Sequence, residues 1–155
     1  MEQIQKTIEV HRSLSQVYNQ WTQFEEFPRF MEGVKEVKQL DDKRLHWEAE
    51  IGGKKKQWTA RIIDQIPDHR IAWESESGEY TSGVVTFENL GADRTRVILE
   101  MSYEPEGIVE NAGDALGVVS RRIANDLENF KEFIENRGQE TGAWRGMIRE
   151  SHKGV

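Results

Sequence analysis

The chain has 155 residues, 36% hydrophobic and 32% charged, with a net charge of -7 and no cysteine. That length suits one domain with a substantial core, and the acidic balance argues against nucleic acid or an anionic membrane surface as partner. The missing cysteines remove disulfides, thiol nucleophiles and thiolate metal sites together, and fit a reducing, cytoplasmic setting.

Ile4, Ile8 and Val10 alternate with polar residues, which predicts a first strand rather than the apolar core of a signal peptide. Ser13 is a good N-cap, and Gln16 three residues later has capping-box spacing for a helix carrying Leu14, Val17, Tyr18 and Trp21. In the segment Trp21-x-x-Phe24-x-x-Phe27-Pro28-x-Phe30-Met31, Pro28 is expected to interrupt that helix and open a second short one, ended by Gly33.

From Val34 the period changes to two. Strands are predicted over Val34 to Leu40, Arg44 to Ile51, Gln57 to Ile66, Arg70 to Ser75, Ser82 to Leu90 and Thr95 to Tyr103. Gly52-Gly53 reads as a two-residue hairpin turn, Lys54-Lys55-Lys56 as its solvated tip, and the pair Ile62-Ile63 as a bulge. Pro105 and Gly107 close the meander.

From Gly113 to Arg137 the apolar residues fall at Leu116, Val119, Ile123, Leu127, Phe130 and Ile134, the stripe of a helix with one buried face. Residues 1 to 138 thus read as one domain and 139 to 155 as a loosely attached extension, with Trp144 docked on the domain surface. No stretch approaches the ~20 apolar residues of a membrane span.

Seven antiparallel strands do not stay flat over this length, and a curled sheet has a concave face that one long helix can cover. The expected class is α+β, with helices segregated from the sheet. The strand-helix-helix-strands-helix order, the Trp21 to Met31 segment and the hairpin Trp47-x-Ala49-x-Ile51-Gly-Gly-Lys resemble the SRPBCC superfamily, in its bacterial polyketide cyclase/dehydrase or coenzyme-Q-binding-like branch. The segment Asp114 to Ile123 and the tail Thr141 to Gly146 are similar to small stand-alone members. The resemblance implies a helix-grip fold, as in START domains and birch-pollen-type allergens, with an apolar cavity between sheet and long helix. It does not fix an activity.

If the alternation holds, the concave face collects Leu45, Trp47, Trp58, Ala60, Ile71, Trp73, Val85, Phe87, Val97, Leu99, Met101 and Tyr103. Ligand contacts are expected from Trp47, Trp58, Trp73, Phe87, Leu99, Met101 and Tyr103 of the strands, from Leu116 and Ser120 of the helix, and from Phe27 and Phe30 as a lid. The other reading of these aromatics is that they fill the core. Glu48, Glu50, Glu74, Glu88 and Glu100 have the outward parity, and no inward strand position carries a titratable acid, base or cation. Tyr103 is the best candidate polar anchor, Arg121 or Arg122 could reach a cavity mouth, and no residue is assigned a catalytic role.

The four histidines are scattered, so no metal site is expected, and Gly52-Gly53-Lys54 lacks the context of a phosphate loop. No cofactor is called for. The leading reading is binding or carriage of an apolar small molecule such as a lipid, isoprenoid or polyketide. The alternatives are a polyketide cyclase or dehydratase and a protein-interaction module of the coenzyme-Q-binding-like type. A homodimer through an edge strand or the tail is compatible with the sequence.

Overall fold

The computed structural model describes residues 2–51, 53–78, 80–104 and 112–149; of these, the side chains of 2, 51 and 112–116 are not described. Strand β1 (Glu2–Val10) leads to helix α1 (Leu14–Trp21) and a 3-10 helix (Phe24–Arg29). Strands β2 (Val34–Gln39), β3 (Arg44–Ile51), β4 (Lys54–Ile66), β5 (Arg70–Gly78), β6 (Thr81–Gly91) and β7 (Arg94–Tyr103) follow. Helix α2 (Ala112–Arg137) and the two-residue strand β8 (Ile148–Arg149) complete the order. The antiparallel sheet runs β1-β7-β6-β5-β4-β3-β2, so β1 closes one side of the meander from the far end of the sequence.

Ser13 caps α1, its Oγ accepting from the Gln16 N–H at 3.3 Å. The Gln16 side chain also turns back on the cap, its Oε1 accepting from Ser13 Oγ at 3.2 Å, while its amide N–H donates to the Gly138 carbonyl at 3.2 Å. The second short helix starts ahead of Pro28 rather than at it. Phe24, Phe27 and Phe30 are spaced by three, and a helix with three residues per turn stacks such positions on one side. Their rings form a chain of edge contacts at 5.6 and 5.7 Å. Aromatic burial here sets the helix type, and Pro28 is carried inside it.

The strand faces follow the predicted alternation. Leu45, Trp58, Ala60, Ile71, Val85, Phe87, Val97, Leu99 and Tyr103 are buried, while Glu74, Glu88 and Glu100 are exposed. The bulge in β4 is real: its register against β5 shifts between Ile62 and Asp64, after which Gln65 rather than Asp64 points inward and is fully buried. On α2, Val119, Ile123, Leu127, Phe130 and Ile134 are all buried.

The tail is held far more closely than its composition suggests. The Gln20 amide exchanges two hydrogen bonds with Thr141, at 3.0 and 2.8 Å. The Trp144 N–H donates to Thr22 Oγ1 at 3.1 Å, and Arg145 reaches Asn19 at 2.6 Å and Asp68 at 2.8 Å. Beyond Arg61 the edge of β4 is no longer paired by β3, and β8 takes it up at Asp64 and Gln65. Edge amides that would otherwise be unpaired are satisfied there.

Candidate functional site

A cavity of about 150 Å³ lies between the concave face of the sheet and α2. Its flattest wall comes from β3 and β4, where Trp47 and Trp58 oppose each other across the strands and stack at 5.7 Å and 9°. Ala49 and Ala60 beside them leave room for the rings. Trp73 on β5 opposes Gly83 on β6, where a Cβ would come within 2.7 Å of the indole. The absence of a side chain at Gly83 is what lets Trp73 lie close against β6. Leu99, Met101 and Tyr103 of β7 form the far wall, Val119, Ile123 and Leu127 the helix side, and Trp21, Phe24, Phe27 and Met31 one end.

The helix side also carries charge. Arg122 and Asp126 sit one turn apart on α2 and both border the cavity, with the exposed Glu32 at its edge. Nη1 of Arg122 donates to the backbone carbonyls of Glu32 at 2.6 Å and Glu50 at 3.2 Å, tying the turn before β2 to the end of β3. The guanidinium runs over Gly33, whose φ of +90° and missing Cβ make the passage possible; a Cβ there would lie 1.6 Å from Arg122 Nη1. Burial pushes the Asp126 carboxyl up to about 7, against the opposing pull of Arg122 and a hydrogen bond from the Glu32 backbone N–H. Asp126 Oδ1 and Trp47 Nε1 are buried without a hydrogen-bond partner among the described residues.

A profile of the family described as "Polyketide cyclase / dehydrase and lipid transport" matches residues 10–132. The chain belongs to that family. A protein of Streptomyces lincolnensis described as uncharacterized is 48% identical over 96% of this chain and 99% of its own length. Among solved structures, a Deinococcus radiodurans protein is 27% identical with a TM-score of 0.68, covering 88% of this chain and 99% of its own. The Zhui aromatase/cyclase of Streptomyces sp. R1128 is 20% identical with a TM-score of 0.74, covering 92% and 99%. A START superfamily protein of Mycobacterium smegmatis is 19% identical with a TM-score of 0.68, covering 87% and 95%. The curled antiparallel sheet gripped by a long C-terminal helix is therefore the SRPBCC-type, START-like fold expected from the sequence.

Within this polyketide cyclase/dehydrase fold the expected contact residues separate into two groups. Trp47, Trp58, Trp73, Leu99, Met101, Tyr103 and Phe27 are brought together around the cavity. Phe87 and Phe30 are not in its wall among the described residues. Phe87 is enclosed by Tyr18 at 5.4 Å and Trp21 at 6.2 Å, and Phe30 by Phe130 and Phe133, both at 5.3 Å. These two rings fill the core because neighbouring rings reach them first. Ser120 is half-buried and outside the wall, and the Leu116 side chain lies outside the described residues. Arg122, rather than the exposed Arg121, reaches the cavity.

Asp126 and Thr81 are among the wall residues that the sequence did not single out as cavity residues, as are Trp21, Phe24, Ile62 and Leu127. Thr81 precedes the first predicted residue of β6. Asp126 has a faint signal: it falls between Ile123 and Leu127, at the margin of the apolar stripe, and four residues after Arg122. Among the described residues no group of acidic or histidine side chains could hold a metal, and no helix is long and apolar enough to cross a membrane.

Proposed function

We propose that the protein binds and carries an apolar small molecule in the cavity between the sheet and α2. The observation that carries this is the cavity wall itself, in which stacked indoles and aliphatic side chains surround about 150 Å³ of unfilled space. An apolar void of that size forfeits dispersion contacts that a guest restores, and such cavities accept ring-sized hydrocarbons. Each 100 Å² of apolar ligand surface removed from water is worth about 2.5 kcal/mol before association costs. Membership in a family that includes lipid transport supports the reading.

Native mass spectrometry on protein incubated with a lipid-rich extract tests it. A stoichiometric apolar mass, released on denaturation, is expected. A clean apo mass, with no thermal shift against isoprenoid and polyketide panels, would refute carriage.

One observation favours a second reading, a cyclase or dehydratase. Asp126 titrates near neutrality beside the cavity, in the range where a carboxyl group can take up and return a proton. The fold similarity to an aromatase/cyclase is compatible with it. Turnover of a poly-β-ketone by the parent protein and its loss in Asp126→Asn would support this reading; equal turnover in both would remove Asp126 from any such reaction.

A further inference from the structure

Almost all of the cavity wall is regular structure. Among the described wall residues, only Met31 and Glu32 belong to no helix or strand. Glu32 is exposed to solvent and also borders the cavity, so the turn over residues 31–34 is a single layer of chain between the cavity and water. The turn leads into β2, the last strand of the sheet, which among the described strands pairs only with β3. Their register shifts between Val34 and Glu36, so the turn can swing as far as Val34 and leave the pairing from Glu36 onward in place.

Two side chains of α2 hold the turn by the two polar groups of one residue. Arg122 Nη1 donates to the Glu32 carbonyl at 2.6 Å and to the Glu50 carbonyl at 3.2 Å, and the Asp126 carboxyl accepts from the Glu32 N–H. The backbone adds a bond from the Glu50 N–H to the Gly33 carbonyl at 2.7 Å.

We infer that residues 31–34 are a lid through which the carried molecule enters and leaves, and that Arg122 is the strap that keeps it shut. The inference rests on the carriage reading and adds the route. Opening a wall of paired strands breaks ladder bonds over several residues, whereas a turn held mainly by side chains opens locally at a small part of the global cost. A strap across the lid resists passage in both directions, so it slows entry as well as release.

The test follows exchange of 1-fluoronaphthalene with the full chain by fluorine NMR, which gives the association and release rates together. In Arg122→Ala both rates should rise about tenfold over the parent, the factor expected for losing a hydrogen bond from a charged donor. Arg121→Ala, at an exposed position of α2, should leave both rates unchanged. Faster release with unchanged association would make Arg122 a residue that grips the guest, and unchanged rates would mean that the guest passes elsewhere. Either result overturns the lid and leaves carriage intact. Failure of 1-fluoronaphthalene to bind the parent overturns carriage and the lid with it. Should Arg122→Ala not fold, amide hydrogen exchange in the parent decides. The Val34 and Glu50 N–H groups, whose acceptors are the Met31 and Gly33 carbonyls, should exchange at least tenfold faster than the amides of β6, which is paired on both sides. Equal protection overturns the lid.

Discussion

Along α2, two halves of one apolar stripe meet different surroundings. Toward its C-terminal end, Phe130 and Ile134 are fully buried, and Phe130 packs edge-on against Trp21 at 4.8 Å and Phe30 at 5.3 Å. One to three turns earlier, Val119, Ile123 and Leu127 are also buried, but they border the cavity. The periodicity is the same in both halves. What differs is the volume facing them: the rings of Trp21 and Phe30 reach Phe130, whereas Val119, Ile123 and Leu127 share unfilled space with Trp47, Trp58 and Trp73. A buried stripe thus reports a covered face and says nothing about whether the space is filled.

Truncation breaks this comparison most directly. Phe130→Ala should cost about 3–5 kcal/mol, because it empties a filled site, and Ile123→Ala only about 2 kcal/mol, because part of its neighbourhood is already void. Urea unfolding of the two variants would measure both, and equal losses would mean that the two halves are packed alike.

Gly33→Ala should follow at about 2 kcal/mol, since a side chain at φ +90° is strained and its Cβ would displace Arg122 from the Glu32 and Glu50 carbonyls. The same unfolding measurement checks it, and Arg122→Ala in that background should cost little more if the two changes act on one contact.

A smaller effect concerns pH. Folding raises the Asp126 carboxyl from its ordinary value to about 7, so the folded state binds the extra proton. Below about pH 4 the group is protonated in both states and carries no penalty; the penalty grows as pH rises toward about 7 and is then complete. Asp126→Asn should therefore flatten stability against pH across that window and raise it at pH 8 by on the order of 1–2 kcal/mol, allowing for partial solvent screening. Thermal melts of both proteins at pH 4, 6 and 8 would test this; parallel curves would contradict it.

The smallest stability change is expected for Val119→Phe, which puts a ring into the void. Stability should stay within about 1 kcal/mol of the parent. Binding of naphthalene should nevertheless be lost, which sharpens the contrast between a filled and an open half.

The parts of the fold that could be read in advance share a cause. Strand faces and the α2 stripe are set by periodicity, and periodicity is local. The 3-10 helix departs from expectation because ring packing of Phe24, Phe27 and Phe30 outweighs the helix-opening preference of Pro28. β8 was not visible because two residues carry no pattern, and its reason for forming, the exposed edge of β4, is over eighty residues away in sequence. The cavity residues on the strands followed from parity. Asp126 did not, since an acid at the edge of a helical stripe looks the same whether it meets water or a cavity. Phe87 shows the converse, with inward parity and no place in the wall, and Phe30, expected in the lid, packs against Phe130 and Phe133 instead.

The clasp on α1 also bears on how the chain is made. Asn19 bonds Glu140 across 121 residues, and β1 pairs with β7, whose register joins Ile4 to Met101. During synthesis, β1 leaves the ribosome before its partner β7, and α1 before the residues around Thr141. Contacts this distant in sequence slow folding. The nascent N-terminal segment, carrying Trp21 and Phe24, must stay unaggregated throughout that wait, so chaperone demand should peak in translation before β7 appears.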